Sequence, residues 1–259
     1  MVRHIEHLIG TVIGVEVRQP APTAAIEPAL AAFFATLRDI EARFSPFLAD
    51  SEVSRIADGR LAEADASQDV RFVLSACDHL TVTSGGAFDA RHHRADGRLD
   101  PSGFVKGWAI DEAAFHLDDA GLTCYAINAG GDVVVRGAPG PDRGWLVGVQ
   151  HPWIHDRIAA RLEIRGGAVA TSGLYERGAH IRDPRSGATP RELASLTVVG
   201  PELTWADAYA TAAFPMGLAG LAWVERHPGY GALAITADER LVWSPMVAPI
   251  LTKVSASAA

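Results

Sequence analysis

Asp207 and Thr211 stand four residues apart in Trp205-Ala206-Asp207-Ala208-Tyr209-Ala210-Thr211. On a helix, that spacing puts a carboxylate and a hydroxyl on one face. Both are hard oxygen donors, which suit Mg2+ or Ca2+ better than zinc. An ordinary structural reading is also open: an early acidic residue complements the helix dipole, and threonine bonds back to the carbonyl four residues before it. A second candidate is Asp100-Pro101-Ser102-Gly103-Phe104-Val105-Lys106-Gly107. Here a polar turn opens a helix whose free N–H groups could hold an anion, with Lys106 adding positive charge one turn in. The order of residues is not that of a Walker A loop, and a plain helix start with a surface lysine would look the same.

His180-Ile181-Arg182-Asp183-Pro184 places a histidine just before an Asp-Pro turn. A histidine titrating near neutrality can act as a general base, or simply sit exposed beside the turn. Two glycine turns, Asn128–Asp132 and Gly85–Asp89, permit either a tight hairpin or close approach of a ligand. His92 and His93 would point to opposite sides of an extended chain, and Pro152 breaks any helix joining His151 to His155. Neither pair makes a metal site.

The elements that must carry these residues follow from periodicity. Residues 11–18 alternate as a half-buried strand. Apolar residues at Leu30, Phe33, Phe34, Leu37, Ile40 and Phe44 predict a helix over 28–44, with Pro28 in its first turn. Further helices are expected from about residue 67 to 80, over 104–119 with Gly121 as C-terminal cap, over 205–214, and over 218–226. Short strands are expected at 125–128, 133–136, 145–150, 158–164, 169–172, 196–199, 233–236 and 241–243. Several are separated by Gly-rich turns, and the spacing is that of hairpins. The expected class is α+β, with largely antiparallel sheets and packed helices, as a single domain over 1–254 with a frayed tail at 255–259.

The chain has 259 residues, 48% hydrophobic and 21% charged, with 23 basic against 31 acidic side chains and a net charge of −8. An acidic surface argues against non-specific nucleic-acid binding. No stretch is long and apolar enough to predict a membrane span. Cys77 and Cys124 form neither a CxxC nor a zinc pattern. With no signal-peptide pattern at the N-terminus, a cytoplasmic location is expected.

The motifs gain weight from their order. His7-Leu8-Ile9-Gly10-Thr11, Ser51-Glu52-Val53-Ser54, Gly86–Asp89, Asp100–Gly107, Asn128–Asp132, Ser172–Glu176, His180–Gly187 and Ala206–Thr211 follow one another along most of the chain. In this set and order the sequence resembles the ApbE family, the FAD:protein FMN transferases. The resemblance implies a T-fold-like ApbE architecture and a Mg2+-dependent enzyme. Such an enzyme takes FAD as substrate and moves its FMN half onto a Thr or Ser hydroxyl of an acceptor flavoprotein, releasing AMP.

Residue by residue, the resemblance implies that Asp207, Thr211 and the Gly103 carbonyl bind Mg2+. It implies that Ile9, Ala87, Phe88, Asp89, Asp100, Lys106 and Ile181 contact FAD. His180 would take the proton of the acceptor hydroxyl, and Asp183 would orient it or brace its turn. A diphosphate needs charge neutralisation and an in-line nucleophile, so a hard metal and a base are consistent parts. Departures from the family pattern are Ile9 in place of Met, Pro101-Ser102 in place of Leu-Gly, Leu174 in place of Asp or Asn, and only four residues between Tyr175 and His180. The short spacing trims a hairpin beside the acceptor entrance. The trimmed entrance leaves one alternative, an FAD pyrophosphatase with water as nucleophile; the acidic surface and the departures at Ile9 and Leu174 leave another, a non-catalytic FAD-binding protein.

Overall fold

The computed structural model describes residues 1–19, 23–92, 94, 96–173 and 182–254. Its strands are β1 (Val2–Leu8), β2 (Thr11–Val17), β3 (Tyr125–Ala129), β4 (Asp132–Arg136), β5 (Trp145–Gln150), β6 (Ile158–Ile164), β7 (Gly167–Gly173), β8 (Leu193–Gly200), β9 (Gly231–Thr236), β10 (Leu241–Trp243) and β11 (Leu251–Val254). The α-helices are α1 (Thr23–Phe44), α2 (Glu52–Ala57), α3 (Gln68–Thr83), α4 (Ser102–Asp119), α5 (Leu203–Ala213) and α6 (Ala219–Val224). The larger sheet has eight strands in the order β1-β2-β3-β4-β7-β8-β9-β10, and the smaller has β11-β6-β5. Every pairing in both is antiparallel.

Three layers result. One face of the large sheet carries the helices, around a core that includes Phe33, Phe34, Phe104, Ile110, Tyr125 and Phe214. Each such side chain, fully withdrawn from water, contributes about 1.5–3 kcal/mol. The opposite face packs on the small sheet through Val135, Val147, Leu162, Val199 and Leu233. Alternation along a strand divides neighbours between the two cores, Val134 facing the helices and Val135 the small sheet. The central strand β8 is buried at every position because both of its faces are covered.

The α+β expectation holds, with local differences. The first helix begins at Thr23, so Pro28 lies inside it and not in its first turn. The long apolar stripe that follows anchors the helix on the core despite the backbone hydrogen bond that proline cannot donate. The strands β1 and β11 and the short helix α2 were not expected. β1 is an edge strand with most positions exposed, so its sequence shows no clean alternation. Gly121 does cap α4: it sits at φ +72°, and the Leu122 N–H reaches the Leu117 carbonyl at 3.0 Å. Among the described residues no helix is long and apolar enough to cross a membrane. The tail expected to fray, 255–259, lies outside the described residues.

Candidate active site

Helices α4 and α5 form the floor of the site, and glycine lets them meet. A Cβ on Gly107 would lie 2.5 Å from the Leu203 carbonyl oxygen and 3.0 Å from the Asp207 Cβ. One turn earlier, a Cβ on Gly103 would lie 3.2 Å from both the Phe88 ring and the Thr211 Cγ2. The two glycines are four apart, as are Asp207 and Thr211, so an antiparallel crossing brings Gly107 to Asp207 and Gly103 to Thr211. A third rung is polar. The Asp111 Oδ2 accepts the Thr204 N–H and hydroxyl, both at 2.7 Å, and so caps α5 from α4. Burial pushes the Asp111 carboxyl above the usual carboxylate range, although the Thr204 donors pull against it.

Two carboxylates are buried beside this floor, Asp132 at 2% exposure and Asp207 at 4%. An isolated buried carboxylate costs several kcal/mol, so both require a cation. Lys106 supplies it. Its ammonium pairs with Asp132 Oδ2 and lies 3.1 Å from Asp207 Oδ2. The second Asp132 oxygen accepts the Thr171 N–H at 3.0 Å, which fixes the carboxylate to β7. Asp132 is delivered by the β3–β4 turn, where Gly130 and Gly131 adopt φ +62° and +97°. A side chain on Gly130 would overlap the Thr11 hydroxyl, so this turn sits hard against the β1–β2 turn.

The walls come from three loops. The Ser84 hydroxyl accepts the Phe88 N–H at 3.0 Å, holding the loop that follows α3. In that loop Asp89 accepts the N–H groups of Arg91 and His92 at 2.7 and 3.0 Å and faces the His92 Nδ1 at 2.9 Å. Burial alone would raise the Asp89 carboxyl, but these donors hold it below the usual range. Asp100 accepts the Ser102 N–H at 3.0 Å, so it ties the start of α4, and Arg94 stands 3.4 Å from its other oxygen. Ile9 occupies the β1–β2 turn at φ +46°, its N–H held by the Glu41 carboxylate at 3.0 Å.

These groups enclose a cavity of about 250 Å3. Every binding and metal residue expected from the sequence that falls within the described part lines it: Ile9, Ala87, Phe88, Asp89, Asp100, Gly103, Lys106, Asp207 and Thr211. A larger cleft of about 930 Å3 adjoins, walled by Phe44, Phe47, Leu48 and Val105. That volume lies in the upper part of the range for pockets that take organic ligands, about 300–1,000 Å3. The two spaces share Ile9, Asp100, Ser102, Lys106 and Arg182. Among the described residues no group of three or more His, Cys, Asp or Glu side chains could hold a metal. The carboxylate of Asp207 and the hydroxyl of Thr211, which line the same cavity as Gly103, fit Mg2+ instead, an ion that keeps several positions for water and phosphate oxygens.

His180 and Ile181 lie outside the described residues. Asp183 does not line either cavity, although its neighbours Arg182 and Pro184 do. Both of its carboxylate oxygens are engaged by Arg185, at 2.8 and 2.9 Å, and that pairing holds the carboxyl below its usual range. Arg185 also reaches the Pro215 carbonyl at 3.2 Å, so the Asp-Pro turn is pinned to the end of α5. Sequence reasoning missed Asp132, Arg94 and Arg182. Asp132 ends the Asn128–Asp132 motif, where only the glycines drew notice. Arg94 sits in a loop with no motif, and only distance in space brings it to Asp100.

The ApbE family model matches this chain over residues 9–94 and 90–234. A curated FAD:protein FMN transferase of Rhodobacter capsulatus is 30% identical over 202 residues, which are 72% of this chain and 38% of the relative. That of Klebsiella pneumoniae is 29% identical over 150 residues, 54% of this chain and 43% of the relative. The aligned stretch therefore spans less than half the length of these curated relatives. Among solved structures, the flavin transferase ApbE from Vibrio cholerae superposes with a TM-score of 0.83 at 22% identity, covering 96% of this chain and 99% of that one. The ApbE protein of Thermotoga maritima superposes at 0.80, also with 22% identity, over 97% and 99%. At that identity the likeness establishes the fold.

Proposed function

The chain belongs to the ApbE family, and we propose that it transfers the FMN half of FAD to a Thr or Ser hydroxyl of an acceptor flavoprotein with release of AMP. One observation carries the reading. Within the described residues, those expected to bind FAD and metal are scattered from Ile9 to Thr211 in sequence, yet they line a single cavity.

In the proposed step the acceptor oxygen bonds to the phosphorus of the FMN half, and the bond from that phosphorus to the AMP phosphate oxygen breaks. The acceptor proton passes to His180, and AMP leaves. Asp207, Thr211 and the Gly103 carbonyl would hold Mg2+. When bound, the ion would neutralise the diphosphate charge and favour the leaving group. Lys106 keeps the two buried carboxylates compensated and adds a positive charge beside the phosphates. The Ala87-Phe88-Asp89 loop, Asp100, Ile9 and Ile181 would position the dinucleotide. Asp183, held by Arg185, would set the turn that carries His180.

The proposal extends to one functional unit over residues 1–254, which limited proteolysis would leave intact. It extends also to a cytoplasmic site of action, supported by two free thiols, Cys77 and Cys124, and checked by cell fractionation.

The test is incubation of the chain with FAD, Mg2+ and a candidate acceptor domain, read by intact mass and AMP release. The expected result is an acceptor heavier by one FMN, with AMP in equal amount. His180→Ala should abolish transfer while FAD still binds. AMP formed at the same rate without acceptor would assign the chain to FAD hydrolysis instead. A chain that binds FAD without turnover would be a flavin-binding protein.

A further inference from the structure

Two cavities meet along a narrow set of side chains: Ile9, Asp100, Ser102, Lys106 and Arg182. A dinucleotide has two bulky ends joined by a diphosphate. If its ends occupy the two spaces, its diphosphate lies where they join. That place must supply positive charge, and three cations border it.

Two of the three are already engaged. Lys106 is held by Asp132 and Asp207. Arg94 is held by Asp96 at 2.7 Å and by Asp100 at 3.4 Å. The third, Arg182, is exposed, lines both cavities, and among the described residues is paired with no acidic group. Its backbone is steadied by the adjoining turn, where the Asp183 N–H bonds to the Ala188 carbonyl at 2.9 Å. The first residue of α4, Ser102, faces the same junction, so the positive end of an 18-residue helix supports an anion there. A planar guanidinium can make two parallel hydrogen bonds to phosphate oxygens.

We propose that Arg182 is the side chain that receives the diphosphate of the dinucleotide at the junction of the two cavities. This rests on the FAD reading above and deepens it. Arg182 acts in substrate binding, and its charge sets a preference for flavins that carry phosphate.

The experiment measures binding of FAD and of riboflavin, which lacks phosphate, to the unaltered chain and to Arg182→Ala and Arg182→Lys, at low and high salt. Thermal melting checks folding of each variant. The expected result for Arg182→Ala is FAD binding weakened ~10-fold or more, the range set by loss of a charge-assisted hydrogen bond. Its salt dependence should be shallower, and riboflavin binding and melting temperature unchanged. Arg182→Lys should recover part of the loss. Equal FAD affinity in Arg182→Ala, an unaltered salt dependence, or equal weakening of FAD and riboflavin would each overturn the assignment. If the unaltered chain fails to bind FAD at all, the transferase reading falls, and the assignment of Arg182 with it.

Discussion

The ammonium of Lys106 lies 3.1 Å from the Asp207 carboxylate and joins α4 to α5 across the floor of the cleft. Lys106→Met would remove the ammonium that pairs with the buried Asp132 and lies beside Asp207. Removing one partner of a buried ion pair costs about 3–5 kcal/mol. Urea unfolding at pH 7 should show a loss of that order, and Lys106→Met combined with Asp132→Asn should recover part of it. A single variant as stable as the parent chain would mean that the carboxylates are compensated by other groups.

Thr211 is half-buried and lines the smaller cavity. Thr211→Ala should raise the Mg2+ concentration needed for half-maximal transfer and leave the unfolding midpoint nearly unchanged. Thr211→Ser, which keeps the hydroxyl, should restore the Mg2+ requirement. Chelation of Mg2+ by EDTA should stop transfer by the unaltered chain. A Mg2+ dependence indifferent to the hydroxyl would remove Thr211 from the metal site.

The two glycines of α4 should respond differently to alanine. By helix propensity alone, either substitution would stabilise by about 1 kcal/mol. At Gly107 the new methyl meets backbone, the Leu203 carbonyl at 2.5 Å, and α5 must move. Gly107→Ala should therefore destabilise by about 1–3 kcal/mol. At Gly103 the neighbours are side chains of Phe88 and Thr211 at 3.2 Å, which can give way. Gly103→Ala should fold nearly as well yet lose Mg2+ affinity, as seen in parallel denaturation and metal titrations.

His227 packs on Tyr209 and Trp223 with ring centroids 4.1 and 4.5 Å away. Burial pushes its pKa below the ordinary value near 6.5, although the Trp223 and Val224 carbonyls draw it back. Between the two pKa values the unfolded chain binds more protons than the folded one, so stability falls as pH drops below about 6.5. His227→Phe removes that proton uptake. The stability difference between variant and parent should shift in favour of the variant from pH 7 to 5, and a pH-independent difference would contradict the assignment.

Much of the frame was legible because burial and periodicity coincide. The stripe of Leu30, Phe33, Leu37 and Ile40 marks α1, and all four are buried. The alternation of Ile13, Val15 and Val17 marks β2, each at 0–1% exposure. β1 was not legible because an edge strand with exposed Arg3, His4, Ile5 and His7 carries no one-sided pattern. The site was legible as an ordered series of short motifs, and those within the described residues converge on the two cavities, except Ser51–Ser54, which lines neither. What motifs cannot show is pairing over distance. Nothing near Lys106 in sequence predicts that Asp132, on a different layer, closes over it. Nothing near Arg94 predicts its place beside Asp100, since the loop between them has no periodicity to read.

Ile9 carries a consequence for how this region can change. A β-branched residue at φ +46° is rare, because its side chain crowds its own backbone, and such conformations cost about 1–3 kcal/mol. Asparagine or glycine would relax the hairpin tip, yet either would strip an apolar surface from both spaces at once. Substitutions here therefore trade thermal robustness against the apolar wall that the two cavities share, and selection for one should be visible as loss of the other.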